Sequence, residues 1–127
     1  GRFKAGVCNY GVTNLFGLNM DTHKFEAHYN DRMIGILPEA AARFHAWSPA
    51  FHVESIQDAL IIFQGAEDPV VTPNQSEQMV AALRQRGVPV EYQVYAGEGH
   101  GFRKRESLLD YYPRVERFLL ERVAFAA

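Results

Sequence analysis

Several features that would announce a function are missing from this chain. It has one cysteine, Cys8, so no internal disulfide framework can staple it. No apolar run approaches the ~20 residues that a membrane span needs. Neither sign of charge dominates. A formal net charge of -2 gives no electrostatic footprint for nucleic acid or an anionic membrane surface, and neither is expected as a partner. Repeats, low-complexity tracts and linkers are absent. The acidic and histidine cluster Asp21, His23, Glu26, His28, Asp31 contains no H-E-x-x-H. His23 and His28, five apart, also fall off a shared helical face, so neither a metal nor another cofactor is expected. Finally, none of Ser48, Ser55, Ser76 and Ser107 stands in a G-x-S-x-G elbow, the strained turn that exposes a nucleophilic serine.

What remains is an ordinary globular composition. Of 127 residues, 47% are hydrophobic and 22% charged. A chain of this size buries roughly two-thirds of the surface its unfolded form exposes, so it can build a real core. It opens GRFKAGVCNY, with neither an initiator Met nor a signal pattern, and runs at once into an apolar stretch. That start reads as a fragment of a larger domain and carries no argument about location; a cytoplasmic location is the expectation.

The pattern along the chain alternates strand and helix. Phe3 to Asn9 reads as a buried strand, and PEAAARFHAW as a helix stopped by Ser48-Pro49. Phe25, Tyr29 and Met33 recur every four residues, as on one helical face. Ala59 to Phe63 is short and continuously apolar, the mark of a strand buried on both faces of a parallel sheet. A helix follows, with Thr72 as N-cap, Pro73 at its first position, Gln75 completing a capping box and Gly87 as the stop. Met79, Val80 and Leu83 form its inward stripe. Val90 to Tyr95 alternates as a strand. Leu108, Tyr112, Val115 and Leu119 then suit a last helix that Pro113 delays or kinks. The expectation is an α/β fold of about three parallel strands with flanking helices and right-handed crossovers.

In such sheets functional groups collect in loops at the carboxyl ends of strands. The loop after ALIIF is QGAEDPVVTP, carrying Asp68. The loop after VEYQVY is AGEGHGF, where Gly99 and Gly101 flank His100 as if to give it steric clearance. An acid and a histidine on one rim can act together, the carboxylate orienting the imidazole and stabilising its protonated form. Acid before histidine is also the second half of the serine, acid, histidine chain order of α/β-hydrolases.

IIFQGAEDPVVTPNQSEQMVAAL followed by VEYQVYAGEGHGF closely resembles the C-terminal part of the prolyl oligopeptidase family of serine peptidases, nearest to its acylaminoacyl-peptidase and dipeptidyl-peptidase-like branches. FKAGVCNYGVTNL, DTHKFE and AWSPAFHV resemble the intervening segments, so the likeness covers essentially the whole chain. The resemblance implies the C-terminal part of an α/β-hydrolase fold. It makes Asp68 and His100 two members of a catalytic triad, with the serine in a glycine-rich elbow upstream of Gly1. It also implies a preceding β-propeller and short peptides as substrates. YNDRMIG resembles a helix carrying two aromatics that line the pocket for the residue before the scissile bond, which maps onto Phe25 and Tyr29. The chain departs from prolyl oligopeptidases proper at Val70, where they carry an arginine that binds the substrate backbone.

Two other readings stay open: an α/β-hydrolase esterase or acyl hydrolase using the same pair, and a non-catalytic fragment. On its own the chain is expected to be inactive, for want of a nucleophile. It is also expected to self-associate through an unpaired first strand.

Overall fold

The computed structural model describes residues 2–21 and 28–126. Three strands form one parallel sheet in the order β1-β2-β3: β1 (Ala5–Asn9), β2 (Ala59–Gly65) and β3 (Val90–Tyr95). The register sets Asn9 beside Phe63 and Gly65 beside Tyr95. The carboxyl ends of all three strands therefore share one rim. The expected α/β architecture, with helices flanking a three-stranded parallel sheet, is the one observed.

β2 is central and its side chains alternate between two cores. Ile62 packs with Val53, Met79, Val80 and Leu83 on the face covered by α4 (Pro73–Gln85). Ala59, Ile61 and Phe63 pack with Tyr95 and Phe118 on the face covered by α5 (Arg105–Leu119). This is why ALIIF is apolar at every position. Burying each large side chain of that run contributes about 1.5–3 kcal/mol relative to leaving it in water. α4 ends as its sequence prescribes: Gly87, at φ +72°, donates its N–H to Arg84 O, and Val88 donates to Leu83 O. The left-handed residue lets the chain close the helix with two bonds.

Five readings of the sequence need correction. Within PEAAARFHAW only Ala41–Ala46 is helical, and Pro38 to Ala40 form a turn before it. The first strand starts at Ala5 and is half-buried, with Val7 exposed, because among the described residues β1 is an edge strand hydrogen-bonded only to β2. On α5, Val115 packs on the core as expected, but two other members of the expected stripe do not. Ser107 and Phe118 are buried and Tyr111 packs on Phe63, whereas Tyr112 and Leu119 point outward. Adjacent apolar pairs, Tyr111-Tyr112 and Phe118-Leu119, leave the helical period blind to which member turns inward. Pro113 does not delay the helix, which starts at Arg105; it and Leu109, four residues back, lie on the exposed side, where water can satisfy the freed carbonyl. Lastly, Gln75 closes no capping box. Its carboxamide oxygen accepts the N–H groups of Thr13 (2.9 Å) and Asn14 (2.8 Å), and its nitrogen donates to Asn14 O.

Between β1 and β2 run the short helices α1 (Leu15–Asp21), α2 (Tyr29–Met33) and α3 (Ala41–Ala46). Ser48 ties two of them together, donating to Phe44 O and accepting the Leu15 N–H. No helix among the described residues is long and apolar enough to cross a membrane.

Candidate active site

Asp68 reaches its position through the turn that ends β2. One carboxylate oxygen, Oδ1, accepts the backbone N–H groups of Val70 (2.8 Å) and Val71 (2.9 Å). Pro69, between Asp68 and Val70, has no N–H and fixes φ, which suits a chain turning back on its own side chain. The far side of the turn is held by a buried amide: Gln64 Nε2 donates to Val71 O, and Gln64 Oε1 accepts the Ser76 hydroxyl from α4. With Oδ1 engaged by the backbone, Oδ2 is left to face the neighbouring loop.

His100 is there. Its Nδ1 lies 2.9 Å from Asp68 Oδ2, with the imidazole 37% exposed and the carboxyl fully buried. A buried carboxylate is stabilised only by groups that hydrogen-bond to it. Here those are two backbone amides and, in the tautomer that donates, one imidazole N–H. A carboxylate in that place would fix the tautomer and offset positive charge arising on the ring. The sequence expectation that Asp68 and His100 share a rim is met as a direct contact.

The histidine loop is pinned from two directions. Glu67 donates its N–H to Glu98 O and Ala66 donates to Tyr95 O, so the two loops continue the β2–β3 pairing past the sheet. Glu98 itself is 3% exposed. Its carboxylate accepts the N–H groups of Arg103 (3.0 and 3.1 Å) and Lys104 (2.7 Å) and a hydrogen bond from Ser107. Burial pushes the Glu98 carboxyl upward, but these hydrogen bonds and nearby Lys104 outweigh it and hold the group below the usual glutamate value. An anion at the first turn of α5 also complements the helix dipole. Glu98 thus clips the loop to α5 two residues before His100. Of the two flanking glycines, Gly101 has a conformational need beyond the clearance read in the sequence. A Cβ on Gly101 would meet nothing within 4 Å, but its φ is +118°, so conformation requires glycine there and clearance within the chain does not.

Tyr10, Glu98 and Gln64 escaped the sequence reading. A buried acid two residues from the histidine could have been noticed, but its partners are backbone groups, which carry no residue signature. Of the two aromatics, Phe25 lies outside the described residues, and Tyr29 opens α2 and is 61% exposed. Val70 serves the carboxylate through its backbone.

No described serine offers itself as nucleophile beside His100. Ser48, Ser76 and Ser107 are buried and bonded to Phe44 O, Gln64 and Glu98, and Ser55 sits in the short turn Val53–Ser55. Burial pushes the Cys8 thiol up, with the Gly11 N–H partly offsetting it, which disfavours the reactive thiolate. Among the described residues no group of three His, Cys, Asp or Glu could hold a metal ion.

The chain as a whole has clear counterparts among known proteins. A dipeptidyl peptidase family member 6 from Caenorhabditis elegans is 31% identical over 123 residues, which is 92% of this chain and 17% of that protein. The structure of a puromycin-hydrolyzing peptidase from Mycobacterium tuberculosis superposes with a TM-score of 0.93 at 32% identity, over 97% of this chain and 19% of that one. An acylaminoacyl peptidase shares the fold, with a TM-score of 0.87 at 19% identity, over 95% of this chain and 20% of its own. The chain thus spans under a fifth of the first two. The model of the prolyl oligopeptidase family matches residues 1–125, a span that takes in both loops of the Asp68–His100 pair, and the chain belongs to that family.

Proposed function

We propose that this chain supplies the acid and the base of a Ser-Asp-His triad in a serine peptidase acting on short peptides, with the serine contributed from outside these 127 residues. The observation that carries the reading is the 2.9 Å contact between His100 Nδ1 and the buried Asp68 carboxylate. With Nδ1 committed, Nε2 is the ring nitrogen left to take a proton. In the reaction the serine Oγ bonds to the peptide carbonyl carbon while its proton passes to Nε2. The tetrahedral intermediate then expels the amine, which leaves with that proton. Water reverses the sequence on the acyl-enzyme, again through His100. Asp68 stays ionised, holding the tautomer and balancing the imidazolium. Phe25 and Tyr29 line the pocket for the residue before the scissile bond in this reading, and the exposure of Tyr29 leaves its ring free to meet a substrate. By itself the chain is inactive, because an acid and a base without a nucleophile form no acyl intermediate. A cytoplasmic location goes with this proposal.

The test uses an alkyl fluorophosphonate, which labels an activated serine. The full-length protein should label, the 127-residue chain should not, and His100→Ala in the full-length protein should abolish labelling. Labelling of His100→Ala at the wild-type rate would sink the assignment. Turnover of acyl esters with none of peptides would move the reading to an acyl hydrolase with the same pair.

A further inference from the structure

A second group touches the imidazole. Tyr10 follows β1 with φ +40°, a left-handed conformation that no other non-glycine among the described residues adopts. Its N–H donates to Phe63 O at 2.7 Å, so the backbone stays tied to β2 while the chain turns. The turn carries the phenol ring to 4.5 Å from the His100 ring, centroid to centroid, at an interplanar angle of 55°. The other side of Tyr10 meets Phe102 edge-on at 5.4 Å. Phe102 in turn packs against Tyr95 (4.9 Å) and Tyr111 (5.6 Å), and Tyr95 and Tyr111 both stand against Phe63 of β2. Tyr10 is thus backed by the α5-side core and rests on the ring of His100.

Left-handed backbone is costly for a tyrosine, and such outliers persist where the surroundings over-determine them, often at functional sites. Glycine would adopt this φ without strain, and the chain does place a glycine next door, at Gly11. The hydrogen bond to Asp68 holds the Nδ1 edge of the imidazole. The Tyr10 ring meets the imidazole as a second contact, one that restricts its tilt. An aromatic face also carries partial negative charge and attracts a cation within about 6 Å.

We propose that Tyr10 is a positioning residue for His100: its ring sets the plane of the imidazole and stabilises the imidazolium that forms when Nε2 takes the serine proton. This rests on the reading of His100 as the general base. Tyr10 touches the base and need not touch substrate, so its loss should slow the chemical step and spare binding.

The experiment measures alkyl fluorophosphonate labelling of the full-length protein, separating the maximal rate from the half-saturating concentration, with thermal midpoints as a check on folding. Tyr10→Phe keeps the ring and should label within about twofold of wild type. Tyr10→Leu keeps apolar bulk without the aromatic face, and should lower the maximal rate roughly tenfold at an unchanged half-saturating concentration. Tyr10→Gly relaxes the backbone and should be slowed to the same degree, which decides the matter if Tyr10→Leu does not fold. Wild-type maximal rates in Tyr10→Leu or Tyr10→Gly, with His100→Ala unlabelled, overturn the role of Tyr10 alone. So does a change confined to the half-saturating concentration. Labelling of His100→Ala overturns the general-base reading and this inference with it.

Discussion

Gly65 and Gly99 are in backbone contact: a Cβ built on Gly65 would stand 2.2 Å from Gly99 O and 2.5 Å from Glu98 O. Neither oxygen can yield without moving the loop that carries His100. Gly65→Ala should therefore drive the two loops apart, lengthening the Asp68–His100 contact. The expected cost is about 1–3 kcal/mol of stability, the usual range for overpacking, read from urea denaturation. Labelling of the full-length protein should fall together with it. Unchanged stability and labelling would show that the loops have slack the geometry does not reveal.

Asp68→Asn separates charge from shape. The Asn oxygen can still accept from Val70 and Val71, but its amide then faces His100 Nδ1 with a donor where an acceptor is needed. The histidine is forced toward the wrong tautomer, and the rate should drop by roughly 10⁴, as when a triad acid becomes an amide. A pre-steady-state labelling assay on the full-length protein checks this. A loss of under tenfold would argue that Asp68 does not orient the base.

Glu98 gives a pH signature. Its folded carboxyl titrates below the usual glutamate value. The stability it contributes is therefore fully present above the unfolded value and is lost as pH falls through the folded one. Glu98→Gln should be the less stable protein at pH 7, since its amide cannot accept every N–H that now points at the carboxylate. The gap should narrow as pH drops below about 4 and close in stronger acid. Denaturant midpoints across that range test it, and a gap independent of pH would mean that the charge contributes nothing.

Among the described residues β1 pairs through one edge only, and Val7 in it is exposed. A largely apolar strand with one edge unpaired is a template for another chain. We expect the 127-residue chain to self-associate at concentrations of tens of micromolar, a range where exposed strands aggregate, and Val7→Lys to weaken the association. A monomeric sedimentation profile of the unmodified chain would refute this.

Local chemistry dictated much of this. The apolar run Ala59 to Phe63 could only be a strand covered on both faces, and Pro73 and Gly87 bracket α4 because each is suited to its own end of a helix. The chain order then puts Asp68 and His100 on the same rim. The choice between Tyr111 and Tyr112 as the core-facing ring was beyond the pattern, because neighbouring apolar residues satisfy the same period. The tasks of Gln75 and Glu98 were equally hidden. Gln75 serves backbone groups 61 and 62 residues away, and Glu98 serves amides of the next helix. Main-chain donors are common to every residue type, so sequence cannot name them.

The sequence by itself thus determined which segments are strand and helix, and which acid and histidine end neighbouring strands. Those choices rest on burial periodicity and backbone preference, which act over a few residues. Only the tertiary structure decided that the pair meets at hydrogen-bond distance, that Gly65 lets the loops close, and that Tyr10 turns its ring onto the imidazole. Each of those depends on packing between segments far apart in the chain, where no local pattern reaches.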